Sequence, residues 1–239
     1  RTPRRRTTAR RRPKQTGFTF RTWGGKRRGA GRKPAGDRAG VPHRPRPALA
    51  SRFPVHVSLR VRQGLPSLRS RKAYKAVEQA LLQGCQRDGF RLVHFCILKN
   101  HIHLIVEAKD GRVLARRIQG LSISLARRLN QRLGRRGAVF ADRYHARILR
   151  TPLETRTALV YVLNNRRSHA GRRGKRDTLP PDGADHYSSG PWFDGWRTPP
   201  RNRPDDGRAP PLTAPARSWL LAKGWRRHGR LGLDEVPGR

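Results

Sequence analysis

The chain is short of sulphur and of negative charge. Its 239 residues include two cysteines, Cys85 and Cys96, and no methionine. The absence of any Cys-x-x-Cys pair argues against a cysteine zinc knuckle and against a disulfide framework. Two isolated thiols fit a reducing compartment, and a cytoplasmic, nucleoid-associated protein is the expectation. No apolar run approaches the roughly 18–20 residues that span a bilayer, and no signal-peptide core opens the chain. Because the chain begins at Arg1 without a methionine, its natural N-terminus is expected upstream. Acidic residues number 15 against 56 lysines and arginines, a formal net charge of +41. Self-repulsion on that scale strains a compact fold unless a polyanion neutralises part of it. Arginine dominates, and its planar fork suits phosphate oxygens and base edges. Composition therefore points to a nucleic-acid partner before any motif is read.

Three zones separate along the chain. Residues 1–50 are rich in Arg, Gly and Pro with little aliphatic content, and are expected to be a disordered basic arm. Within it, Gly31-Arg32-Lys33-Pro34 and its basic flanks allow two readings: a minor-groove hook using Arg32 and Lys33, or a nonspecific basic arm. Residues 51–170 carry nearly all the hydrophobic periodicity and form the expected folded domain. From 171 to 239 the chain returns to Pro, Gly and Arg with scattered tryptophans, and is expected to be mostly irregular.

Within the central zone the apolar spacing predicts β-α-β-β-α-β-α. Phe53–Leu59 alternates as a strand, with Val55, Val57 and Leu59 on one face. Lys72–Arg87 has helical spacing. Phe90–Leu98 and His101–Ala108 read as a hairpin turning at Lys99-Asn100. Val113–Leu133 is a long amphipathic helix with arginine outside, and Tyr144–Leu149 a fourth strand. Thr151, Pro152 and Glu154 are an N-cap, a first-turn proline and a capping box for a last helix reaching about Arg166. The first six elements match a ferredoxin-like α+β fold, an antiparallel sheet with helices on one face.

His101 and His103 lie two apart on a strand, so both imidazoles project from one face. Neutral imidazoles side by side suit a metal ion, although a pair of half-exposed sheet histidines has the same pattern. Tyr161 and Asn165 are four apart on the last helix and share a face. A phenol and an amide there offer a nucleophile and a ligand, or simply packing with a C-terminal cap.

Together these features resemble the single-tyrosine HUH transposases, and within them the REP-associated tyrosine transposases and their insertion-sequence relatives. The resemblance rests on Leu98-Lys99-Asn100-His101-Ile102-His103-Leu104, on Val139 to Arg150, on the opening strand with His56, and on the helical Tyr-x3-Asn. It spans roughly residues 52–170. Two departures stand out: Lys99 occupies a position where the family commonly has Pro, and Arg166 follows the asparagine where Pro is common. Asn164 adjoins Asn165, and the four-residue spacing favours Asn165.

The resemblance implies that His101, His103 and Asn165 bind a divalent ion and that Tyr161 is the nucleophile. It implies cleavage of single-stranded DNA beside hairpins through a 5′-phosphotyrosine, DNA as partner, and allows a homodimer. By ligand chemistry alone, two histidines and an amide suit zinc, manganese or nickel as well as magnesium; the resemblance implies Mg²⁺ or Mn²⁺. An ordinary phenol titrates near 10, so catalysis needs surroundings that favour the phenolate. Arg116, Arg117, Arg127 and Arg128 of the long helix either track a phosphate backbone or form a solvated face. Trp192, Phe193 and Trp196 either stack on bases or pack the tail against the domain. The principal alternative is a noncatalytic DNA-binding regulator on the same fold. Tyr144 is a spare phenol near the site sequence.

Overall fold

Alternating strand residues of the central zone divide into two sets, and the fold uses each set to close one side of a single sheet. The structure is a computed structural model that describes residues 47–166, 179–204 and 212–236. Arg32 and Lys33 lie outside these residues, as does nearly all of the expected arm. The elements of the sheet side are β1 (Val55–Arg60), α1 (Arg71–Gly84), β2 (Gln86–Arg87), β3 (Phe90–Ile97), β4 (His101–Ala108), α2 (Gly111–Arg132) and β5 (His145–Ile148). The chain continues into α3 (Pro152–Leu163). The sheet is antiparallel with order β2-β3-β4-β1-β5. This is the expected α+β arrangement with one addition, the two-residue β2 at the edge. The expected first helix is shorter at its C-terminal end because Gln86 and Arg87 leave it to pair with Arg91 and Phe90.

Val55, Val57 and Leu59 of β1, with Ile102, Leu104 and Val106 of β4, face α1 and α2. Ala73, Val77 and Leu81 of α1 and Ile118, Leu125 and Leu129 of α2 complete that core. Helical spacing of apolar residues directs each helix onto the sheet. Both helices are capped by side chains: Ser70 accepts from the Ala73 N–H and Asp110 from the Val113 N–H. These caps satisfy N–H groups that have no partner within the helix.

The opposite face is covered by α3 and the chain beyond residue 178. A register shift between Leu92 and His94 turns Val93 and Cys96 to this side while Leu92, Phe95 and Ile97 stay on the first. There they meet Leu159, Val162 and Leu163 of α3 with Phe193, Trp196 and Trp225. Gly195 is needed where the tail folds back, because a Cβ would collide with the rings of Phe193 and Trp225. Phe193 and Trp196 are thus core residues, which is the packing alternative of the two foreseen for them. The tail also runs along the outer edge of β3. The Ile97 N–H donates to Tyr187 O at 2.8 Å, Ser189 N–H to Phe95 O at 3.0 Å, and Ala214 N–H to Leu92 O at 2.7 Å. Short β2 leaves most of that edge open, and the tail pairs it. No helix among the described residues is long and apolar enough to cross a membrane.

Candidate active site

On the α3 side of the sheet, β1 and β4 present polar side chains where the other side has only hydrocarbon. Ser58 lies directly opposite His103 in the β1–β4 pairing, and His56 lies opposite Ile105. Residues two apart share a face, so His56, Ser58, His101 and His103 gather on one patch. The His101 and His103 rings stand edge to face with centroids 4.9 Å apart. Tyr161, near the end of α3, meets His103 edge to face at 5.1 Å and His56 at 5.6 Å. The tyrosine therefore stands beside the histidines of its own chain.

Each histidine of the pair has its Nδ1 side turned to a protein group. His101 Nδ1 donates to Asn100 Oδ1 at 2.7 Å. His103 Nδ1 lies 2.9 Å from Ser58 Oγ and 3.1 Å from His56 Nε2. Partners on one ring nitrogen fix tautomer and ring orientation and direct the other nitrogen to a cation. With Nδ1 engaged, Nε2 is the nitrogen that would meet an ion at both residues. Burial pushes the pKa of His56 down to about 4, assisted by the positive charges of His145 and Arg147. His56 is accordingly neutral at physiological pH and adds no charge against a bound cation.

The two asparagines after α3 are distinguished by their partners. Asn164 caps the helix and spends its Nδ2 on Gly232 O at 2.9 Å and Glu235 O at 2.8 Å. Asn165 is completely buried, and neither its Oδ1 nor its Nδ2 has a hydrogen-bond partner. An unsatisfied buried amide costs on the order of 1–3 kcal/mol, a cost that coordination to a cation would offset. The residues present fit a cation: two oriented imidazoles and one orphaned amide. Among the described residues no three His, Cys, Asp or Glu side chains converge as a metal site. An ion here would have to draw its remaining ligands from the amide, water or phosphate. The helix expected to run to Arg166 is interrupted, since α3 ends at Leu163 and Asn164 is its C-cap.

Residues 51–165 match the family described as Transposase IS200 like. The matched segment opens just before β1 and ends on Asn165, so it contains every residue of the patch. The likeness drawn from the His-hydrophobe-His and Tyr-x3-Asn motifs to single-tyrosine transposases is thereby borne out, and the patch sits in the segment that matches this family. Among solved structures, the chain is similar to a REP-associated tyrosine transposase bound to a REP hairpin, at 16% identity and TM-score 0.44, covering 54% of this chain and 74% of that one. It is also similar to a candidate transposase from Deinococcus radiodurans R1, at 16% identity and TM-score 0.34, covering 39% and 76%. No curated protein matches.

The remaining residues singled out in the sequence are dispersed around the matched segment. Arg116 and Arg127 are exposed on α2, and Arg117 donates to Asp88 O at 3.4 Å. Arg128 is turned inward, donating to Gln83 Oε1 at 2.6 Å and Gln79 Oε1 at 3.3 Å. That engagement makes it a link between α1 and α2. Sequence reasoning passed over Ser58, although its place two residues from His56 was a legible signal. It also missed Asp185, which holds Arg69 through bonds of 2.6 and 2.7 Å. Arg69 reaches Ile97 O as well at 3.1 Å, tying the tail to the strand before the histidine hairpin. A contact across 116 residues has no local signature.

Proposed function

We propose that this transposase domain cuts and rejoins single-stranded DNA through Tyr161, with His101, His103 and Asn165 holding a divalent cation, Mg²⁺ or Mn²⁺. The observation that carries this reading is the packing of the Tyr161 ring against His103, with the unsatisfied Asn165 amide buried four residues further on. A bound divalent ion would neutralise charge on a nonbridging phosphate oxygen and on the departing oxygen.

The protein's own groups do the rest. Asn100, Ser58 and His56 hold the two imidazoles in one orientation, so the ligand set needs little reorganisation. The edge contacts with His103 and His56 restrict the Tyr161 ring and aim its hydroxyl group. Tyr161 Oη forms the new bond to phosphorus as the bond from phosphorus to the 3′ oxygen breaks. The phenol loses its proton and the leaving 3′ oxygen gains one, giving a 5′-phosphotyrosine and a free 3′-OH. Because the ester bond is exchanged and not hydrolysed, a second 3′-OH reverses the step and joins strands. The tyrosine helix serves the histidines of its own chain in this reading.

The test is incubation of the full chain with labelled hairpin-flanked single strands and Mg²⁺ or Mn²⁺, followed by denaturing gels. The reading expects an SDS-stable adduct that disappears in Tyr161→Phe and His101→Ala. A mixture of those two variants should stay inactive, because neither chain holds both halves of its site. Salt-sensitive DNA binding with no adduct from the wild type would instead indicate a noncatalytic regulator.

A further inference from the structure

Four residues along β4 from His103, on the same face, Glu107 is buried and accepts the backbone N–H groups of Arg217 and Ser218 at 2.7–3.0 Å. At about 3.3 Å per residue this anchor lies roughly 13 Å from His103. It docks the tail beside β2 and β3 and so builds one wall of a cleft of about 980 Å³. Arg52, Arg87, Arg91, Lys109 and Arg217 line that cleft, with Trp219 at its rim.

Two features set this cleft apart from an ordinary solvated face. The first is uncompensated charge. Its two carboxylates are Asp88 and Glu107, and both oxygens of Glu107 are occupied by backbone N–H groups. Among the described residues, no carboxylate pairs with the side chains of Arg87, Arg91, Lys109 or Arg217. The second feature is Trp219, which is 48% exposed, whereas Trp196 and Trp225 are buried. Its ring lies against the backbone of Gly224, where a Cβ would come within 2.6 Å of it, and the Arg227 guanidinium sits 4.9 Å from its centroid. The ring is thus held by Gly224 and Arg227 and stays about half exposed. Arg87 also lines an adjoining depression with Arg116 and Arg117, so the basic surface continues onto α2.

A cluster of cations without carboxylate partners suits the phosphates of a polyanion, and a supported, half-exposed indole suits a flat unpaired base. We propose that this cleft is a second DNA subsite, distinct from the tyrosine centre, in which Arg87 and Arg91 contact the phosphates of a single strand and Trp219 stacks on one of its bases. The proposal rests on the DNA-processing reading of the domain and names where the strand is held away from the cut.

The test measures binding of fluorescent single-stranded DNA to the full-length Tyr161→Phe protein in chelator, so that no cleavage intervenes, across a salt series. Trp219→Ala should weaken single-strand binding about tenfold, while Trp219→Phe, which keeps a stacking face, stays near the parent. Arg87→Ala with Arg91→Ala should weaken binding and flatten the slope of log K against log salt by about 1.4, at about 0.7 per lost phosphate contact. Parent-like affinity and slope in these variants would overturn the subsite, as would equal losses on fully duplex DNA for Trp219→Ala. Adduct formation by the wild type is scored separately. A cleft that fails while the adduct forms removes only this inference, and a cleft that binds without any adduct removes only the cleavage reading.

Discussion

Both faces of the sheet are closed by helices, but they are closed by different chemistry. Toward α1 and α2 the buried side chains are hydrocarbon, drawn from elements adjacent in sequence and set by strand and helix periods. The buried polar residues of the described chain lie instead on β4 and α3 (His103, Glu107, Thr155, Asn164 and Asn165) or on the tail paired to the edge of β3 (Asp185, Ser188 and Ser189). One side is a packing core that tolerates volume-conserving exchange. The other is a scaffold of directed bonds, where removing one partner leaves another buried and unsatisfied. The proposed catalytic patch sits on the second kind of face, and a reaction centre there would have its side chains held at fixed angles.

The largest effects should come from one substitution on each face. Leu125→Ala empties part of the α1/α2 core and should lower stability by about 3 kcal/mol. Adduct yield measured well below the melting transition should hardly change. Asp185→Ala leaves the Arg69 guanidinium without its bidentate partner and should also cost about 3 kcal/mol. Here adduct yield should fall at temperatures where the chain is still folded. Thermal melts run beside adduct assays check both, and equal behaviour of the two variants would break the contrast between the faces.

A smaller effect is expected at Asn164. Its two bonds to Gly232 O and Glu235 O, with the Arg156–Glu235 pair at 2.5 and 2.9 Å, clamp α3 under the tail. Asn164→Ala should cost about 1–2 kcal/mol in denaturant unfolding yet reduce adduct formation more than that loss explains, because Tyr161 is one turn away. The smallest expected effect is on the α3 face through pH. Burial holds the pKa of His94 down at about 4, against the ordinary 6.5 of the unfolded chain. A lowered base pKa means that the unfolded state binds the proton first. The contribution of His94 is therefore complete above about pH 6.5 and is lost as pH falls toward 4. Urea midpoints at pH 7 and pH 5 should differ, and His94→Gln should narrow the difference.

How much of this was legible depends on the range of the interactions. Periodicity located four strands, α1 and α2, because a half-buried strand and an amphipathic helix each write a local pattern, and the Thr151-Pro152-Glu154 start signal located α3. The two-residue β2 writes none, and the register shift at Leu92/His94 breaks alternation where the sequence merely looks apolar. Of the site, the His101–His103 pair and Tyr161 were readable from spacing. Spacing also favoured Asn165 over Asn164, but the bonds that engage Asn164 reach backbone carbonyls some 68 and 71 residues away and were not readable. The tail looked irregular in composition, and its segments carry little regular structure. Its anchoring by Glu107 and Asp185 is set by single long-range bonds that no window of sequence contains. For the same reason Trp192, Phe193 and Trp196 drew notice as stacking candidates, while the exposed ring proved to be Trp219.

The central claim is that Tyr161 is the group that attacks DNA. It is tested most directly by digesting the protein after reaction with Mn²⁺ and a hairpin-flanked single strand, and mapping nucleotide-bearing peptides by mass spectrometry. The account predicts a phosphodiester-linked nucleotide on the peptide containing Tyr161, absent when the cation is chelated. A nucleotide on Tyr144 or on another residue, or none on a protein that binds the strand tightly, would contradict it.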